Sequence, residues 1–157
     1  MWGYAVAHWI RFEHNGETGF GTLDGEQIDI HEGDLFANPV STGKSCALGD
    51  VTVLTPCMPG KLIALWNNSR MAAEKQGLET PGYPLFFLKP TSCFLAAGAP
   101  IRKPAAYDGR VIYEAELGVV IGKTCSNVDE AAATDAIFGY TCVNDVTALQ
   151  LLTADPS

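Results

Sequence analysis

Alternating apolar and polar residues near the start of the chain, interrupted by turn residues, predict a small β-meander. Asn15-Gly16 and Asp24-Gly25 mark two hairpin turns, because both pairs tolerate the positive φ angles that tight hairpins require. The three strands predicted from this pattern span residues 7–13, 18–23 and 26–30. We therefore expect a three-stranded unit at the beginning of the protein.

A polar segment follows the predicted meander. Residues 33–49 are broken by Gly and Pro, which is typical of a surface connection. A short apolar strand is predicted at 51–54, and Pro56 and Pro59 end it. Residues 1–58 are therefore expected to form a small N-terminal β-rich subdomain and its linker.

The rest of the chain predicts further strands with short helices between them. The predicted strands span residues 61–66, 85–88, 113–121 and 140–143. The first of these, KLIALW, is apolar enough to be buried on both faces. A helix is predicted at 70–76, where Gly77 ends it. A second helix is predicted at 129–135, where Asn127 can cap the helix and Glu130 can reach back.

The composition fits one ordinary globular domain and narrows the classes of partner. The 157 residues are 47% hydrophobic with a net charge of -8, and without a basic patch we expect no nucleic-acid partner. No run of 18 apolar residues occurs, so no membrane span is expected. The five cysteines are Cys46, Cys57, Cys93, Cys125 and Cys142. They form no CxxC pair, and we interpret them as reduced, mostly buried thiols of a cytoplasmic protein.

Two carboxylates on one predicted strand are the strongest candidates for chemistry. Glu114 and Glu116 are two residues apart, so their side chains point to the same face of the strand. Such a pair on an otherwise apolar strand repels itself unless a cation lies between the two groups. Asp145, at the end of the next strand, could supply a third oxygen ligand for Mg²⁺, or alternatively Mn²⁺ or Ca²⁺. The alternative interpretation is that the two glutamates lie on the solvated face of an edge strand.

Two further charged residues are candidate catalytic groups. Lys89 follows an apolar strand and could neutralise an anionic substrate, or it could be an ordinary surface residue. Glu74, on the first helix, could act as a general acid or base if that helix closes over the metal, and is otherwise an exposed helix charge. The three histidines all lie in the N-terminal meander, remote in sequence from the carboxylates, and are expected to have no catalytic part. They are His8, His14 and His31.

Three segments in order carry a family resemblance. They are PLFFLKP at 84–90, YEAELGVVIG at 113–122 and FGYTCVNDVT at 138–147. Together they resemble the fumarylacetoacetate hydrolase family, in the branch of bacterial enzymes acting on 2-oxo and β-diketo acids. The resemblance implies that Glu114, Glu116 and Asp145 bind Mg²⁺ or Mn²⁺. It also implies an α+β, mostly β fold with a mixed β-sheet or β-roll core, usually assembled as a homodimer.

The chain departs from the family pattern at three places. Many members carry N-Y-x-x-H-x-x-E, and in the corresponding residues 67–74 of this chain Met71 stands at the histidine position, although Glu74 is kept. After the N-D motif many members continue A-R-D-x-x-Q, whereas residues 148–152 read ALQLL. Members also continue into further strands, so residues 59–157 are expected to be the first part of a catalytic domain.

These observations lead to three functional hypotheses. The first is a metal-dependent enzyme that acts on a small anionic 2-oxo or β-diketo acid by C–C hydrolysis, decarboxylation or isomerisation through a metal-stabilised enolate. The second is a catalytically silent or accessory domain that keeps the fold and the metal. The third is a structural β domain whose acidic pair is a solvated face.

Overall fold

The computed structural model describes residues 6–154. In chain order, the strands of that range are β1 (Trp9–His14), β2 (Glu17–Asp24), β3 (Gln27–Glu32), β4 (Val40–Ala47), β5 (Thr52–Val53), β6 (Leu62–Trp66), β7 (Leu85–Lys89), β8 (Val111–Ile121) and β9 (Ile137–Ala148). The α-helices are α1 (Arg70–Gln76), α2 (Glu130–Asp135) and α3 (Leu149–Ala154). The mostly β, α+β class expected from the sequence is confirmed.

The N-terminal strands form one antiparallel sheet in the order β4-β3-β2-β1-β5. The predicted meander is confirmed, with turns at Asn15-Gly16 and Asp24-Gly25. Asn15, Gly16 and Gly25 adopt positive φ angles, as these tight hairpins require. Phe12 on β1 and Ile28 on β3 are 2% and 0% exposed, so this sheet contains the best-buried large side chains of the described residues.

The segment 33–49 is not the irregular connection that its composition predicts, because it contains β4. This strand pairs with β3 along the edge of the sheet, and its register shifts between Asp29 and His31. Thr42 donates its hydroxyl hydrogen bond to the carbonyl of Ile30 at 2.8 Å. The prediction was wrong because an edge strand is held by backbone hydrogen bonds and needs no continuous apolar pattern.

The C-terminal strands form two separate two-stranded antiparallel sheets, β6–β7 and β8–β9. Helix α1 lies between β6 and β7 in the chain and has the bounds that the sequence predicts. Ser69 caps its N-terminus by accepting the amide hydrogen bond of Ala72 at 3.3 Å, and Gly77 ends it with φ 67°. Ala73 is the buried residue of this helix.

The second predicted helix is confirmed as α2, but its cap was assigned to the wrong residue. Asp129 is the N-cap and accepts the amide hydrogen bond of Ala132 at 2.9 Å. Asn127 instead adopts φ 53° in the preceding turn, which places it outside the helix. The strand predicted at 140–143 is longer than expected, because β9 pairs with β8 along almost its whole length.

Two burial predictions for the chain are wrong. Strand β6 comprises residues LIALW of the KLIALW motif, yet Ile63 and Leu65 on one of its faces are 53% and 47% exposed. Their neighbours across β7, Phe86 and Leu88, are exposed as well, because this sheet has two strands and no described element covers that face. The cysteines are free as expected, but three of the five are exposed rather than buried: Cys93, Cys125 and Cys142.

The described chain has a large surface for its mass. It exposes 12569 Å² at 16.8 kDa, whereas a compact monomer of that mass exposes about 7,700 Å². An aromatic contact connects the turn between β3 and β4 to the start of β9, where Phe138 meets Phe36 edge-on with ring centroids 4.9 Å apart. None of the helices described between residues 6 and 154 has the length and apolar character needed to cross a bilayer.

Candidate metal centre

The β8–β9 hairpin brings the three predicted carboxylates to one face. Glu114 lies directly opposite Asp145 in the antiparallel register, so their side chains point to the same side of the sheet. Glu116 lies two residues further along β8 and shares that face. Thr147 lies there too, and its hydroxyl donates a hydrogen bond to Oε2 of Glu114 at 3.3 Å.

A lysine from the other two-stranded C-terminal sheet, β6–β7, lies next to this face. Nζ of Lys89, the last residue of β7, lies 2.7 Å from Oδ1 of Asp145. The two side chains are 23% and 10% exposed, which makes this ion pair less solvated than an ordinary surface pair. The ammonium group also lies over the ring of Phe87, with Nζ 5.2 Å from the ring centroid.

The electrostatics of Glu116 show that the acidic groups interact. Burial raises the pKa of the Glu116 carboxyl above its ordinary value, and the negative charges of Asp145 and Glu114 raise it further. Lys89 opposes this effect and lowers the same pKa. The four side chains therefore behave as one charged cluster, with three acids and a single base.

The three carboxylates are suitable ligands for a hard divalent ion, although two of them bind protein groups in this arrangement. Three carboxylates on one face are the oxygen ligands that Mg²⁺, Mn²⁺ or Ca²⁺ prefer. Within residues 6–154, however, no three acidic, cysteine or histidine side chains converge closely enough to hold an ion. Asp145 is engaged by Lys89 and Glu114 by Thr147, so both carboxylates have protein partners in this arrangement.

The other candidate residues lie outside this cluster. Glu74 is exposed on α1 and forms no hydrogen bond or ion pair with the carboxylates in the part of the chain that is described. Met71, one turn earlier, is 69% exposed. His14 and His31 lie on β1 and β3 of the N-terminal sheet, and His8 immediately precedes β1. The catalytic assignment of Glu74 stays a prediction.

Sequence reasoning missed two residues at this site. Thr147 is two residues after Asp145 on β9, so the strand alternation could have placed it beside the carboxylates. Phe87 is two residues before Lys89 on β7 and could have been placed on the same face in the same way. The pairing of Lys89 with Asp145 carries no local signal, because 56 residues separate them.

The fold agrees with the comparisons with known protein families. The family model described as "Fumarylacetoacetate (FAA) hydrolase C-terminal" matches residues 61–156, and the one described as "Rv2993c-like, N-terminal" matches residues 7–56. Because the first match covers more than half of the chain, the protein belongs to the fumarylacetoacetate hydrolase family. The resemblance inferred from the three sequence motifs is thereby confirmed.

Individual relatives give a more detailed comparison. Protein Rv2993c of Mycobacterium tuberculosis is 39% identical over 136 residues, covering 82% of this chain and 51% of that protein. The mitochondrial oxaloacetate decarboxylase of Dictyostelium discoideum is 41% identical over 88 residues, covering 55% of this chain and 40% of that protein. The crystal structure of 2-hydroxyhepta-2,4-diene-1,7-dioate isomerase from Mycobacterium marinum matches with TM-score 0.82 and 31% identity, over 97% of this chain and 59% of that one. The chain spans about half the length of the curated relatives it matches.

Proposed function

We propose that this chain carries the metal-binding face of an enzyme that acts on a small 2-oxo or β-diketo acid. The reaction would be C–C hydrolysis, decarboxylation or isomerisation through an enolate. The observation that carries the proposal is the register of β8 and β9, which gathers Glu114, Glu116 and Asp145 on one face. Relatives named as an oxaloacetate decarboxylase and a 2-hydroxyhepta-2,4-diene-1,7-dioate isomerase support this substrate class.

The ligand residues follow from the chemistry of the cluster. Glu114, Glu116 and Asp145 would hold Mg²⁺, or alternatively Mn²⁺ or Ca²⁺, because their oxygens suit a hard cation. When bound, such an ion stabilises the negative charge that develops on an enolate oxygen. Burial raises the pKa of the Glu116 carboxyl, and the charges of Asp145 and Glu114 raise it further; a divalent cation would relieve that repulsion.

Three further side chains determine which groups could transfer a proton or attract an anionic substrate. Met71 cannot transfer a proton, so water activation by a histidine at that position is not available to this chain. Glu74 lies three residues further along the same helix and is the proton-transferring group we assign to α1. Lys89, 2.7 Å from Asp145, places a positive charge next to the carboxylates and would favour an anionic substrate there.

A second candidate function rests on the same Met71. In this alternative the chain is a catalytically silent or accessory domain that keeps the fold and the metal but has lost the reaction. Turnover of oxaloacetate or an acylpyruvate in the presence of Mg²⁺ separates the two proposals. Activity that disappears in Glu116→Gln would exclude the silent domain, whereas metal binding without turnover would favour it.

The first experiment measures Mn²⁺ binding to the metal-free chain by isothermal titration calorimetry. We expect Glu114→Gln to weaken binding by about tenfold or more, because the site loses a charged oxygen ligand. Glu17→Gln, at an exposed glutamate of β2, is the matched control and should bind like the wild type. Equal affinities for all three proteins would contradict the proposed ligands.

We also propose the homodimer that the resemblance implies, and sedimentation velocity tests it.

A further inference from the structure

The ammonium group of Lys89 binds the Asp145 carboxylate, which is also a proposed ligand of the metal. Its Nζ lies 2.7 Å from Oδ1 of Asp145 and 5.2 Å from the ring centroid of Phe87. Strand β7 pairs with β6 and not with β9, so this contact connects two separate sheets of the described chain. It is also the single ion pair among residues 6–154.

The charge of Lys89 extends beyond Asp145. Glu114 and Glu116 lie on the same face as Asp145, so the Lys89 charge acts on all three acids. One cation therefore offsets part of the mutual repulsion of three acids. Without Lys89 the cluster would carry one more uncompensated negative charge.

We infer that Lys89 is the resident counter-ion of the carboxylate cluster, and that it competes with a divalent metal for Asp145. This inference rests on the proposed metal site. It assigns Lys89 a positioning role, acting through Asp145, in addition to the neutralisation of an anionic substrate expected from the sequence. A protein cation and a metal ion cannot both be held at full strength by the same carboxylate, since like charges repel at short range.

A mere structural link between the sheets predicts the opposite effect on metal binding. If Lys89 only held Asp145 in place, its loss would free the carboxylate and weaken metal binding. The backbone of Asp145 is, however, already fixed by its pairing with Glu114 in the β8–β9 ladder. Loss of Lys89 therefore frees one side-chain rotamer but removes a whole positive charge, and the charge should dominate.

The test compares Mn²⁺ affinities of Lys89→Met, Lys89→Gln and Lys89→Arg with the wild type, by calorimetry without substrate. We expect the two neutral variants to bind Mn²⁺ about tenfold more tightly, since a repulsive unit charge has been removed. Lys89→Arg keeps the charge and should bind like the wild type. Lys89→Gln keeps a hydrogen-bond donor for Asp145, so it reports the charge alone and serves if Lys89→Met fails to fold.

The outcomes separate this inference from the proposed function. Mn²⁺ binding that is unchanged or weaker in both neutral variants would overturn the competition and leave the metal site standing. Failure of the wild type and of every variant to bind Mn²⁺ would overturn both. Tighter binding in Lys89→Gln and Lys89→Met, with wild-type affinity in Lys89→Arg, supports the counter-ion role.

Discussion

The five-stranded N-terminal sheet and the two C-terminal hairpins bury their apolar residues very differently. Phe12 and Ile28 of the N-terminal sheet are 2% and 0% exposed, whereas Phe86 on β7 and Leu117 on β8 are 67% and 68% exposed. Both regions have regular paired strands, each with one shift in register. The difference shows that strand pairing alone does not form a buried core, since the faces of a two-stranded sheet stay exposed unless another layer covers them.

The candidate site belongs to the open region, and this affects how it is held together. The three carboxylates are positioned by the backbone register of β8 and β9 rather than by a packed core beneath them. Lys89 supplies the ion pair that connects this hairpin to β7. The site therefore depends on hydrogen-bonded strands and charge, while the N-terminal sheet depends on burial.

The largest expected effect tests burial in the N-terminal sheet. Phe12→Ala should lower the free energy of unfolding by about 3 kcal/mol, because it leaves a cavity in the best-buried part of the described chain. Phe86→Ala removes the same side-chain atoms from an exposed face and should change it by less than about 0.5 kcal/mol. Urea unfolding followed by tryptophan fluorescence measures both. Equal losses in the two variants would contradict the contrast between the regions.

A smaller effect is expected where the site hairpin is tightly packed despite its exposure. A Cβ on Gly118 of β8 would lie 2.8 Å from Cγ2 of Val143 and 2.9 Å from Cγ2 of Thr141, on the face that carries the carboxylates. Gly118→Ala should therefore destabilise the chain by about 1–2 kcal/mol. Gly139 on β9 has open space at its Cβ position, so Gly139→Ala is the matched control. Equal melting temperatures for the two variants would contradict this prediction, because they would show that Val143 and Thr141 move aside at little energetic cost.

The sequence predicted features that depend on local chemistry. Helix α1 was predicted with its bounds because Gly77 is a local end signal, and the β1–β2 turn because Asn15-Gly16 suits a tight hairpin. The carboxylate face was predicted because strand alternation places Glu114 and Glu116 together. Each of these depends on residues that are close in the chain.

Features that depend on distant partners could not be predicted in this way. Strand β4 is held by its neighbour β3 and has no apolar pattern of its own. The exposure of Ile63 depends on which layers cover β6, and a hydrophobic run cannot indicate that. The ion pair between Lys89 and Asp145 joins residues 56 positions apart, so its discovery required the fold.

The smallest effect is expected in the reactivity of the cysteine thiols, which differs between the two regions. Burial raises the pKa of the Cys57 thiol, against the opposing charge of Arg11. Burial also raises the pKa of the Cys46 thiol, and Asp50 raises it further. A raised pKa leaves less thiolate at a given pH, and the thiolate is the nucleophile. At about pH 8, below the ordinary cysteine pKa of about 8.5, both thiols should therefore react slowly with iodoacetamide.

The exposed thiols of the C-terminal region are the internal control for that reaction. Cys93, Cys125 and Cys142 are open to the reagent and should be modified several-fold faster, as read by mass spectrometry of peptides after timed quenching. The difference should shrink as the pH rises, because Cys46 and Cys57 then ionise as well. A difference that stays constant with pH would mean that access, rather than ionisation, protects the N-terminal thiols. Equal rates at pH 8 would contradict the greater burial of the N-terminal region at these positions.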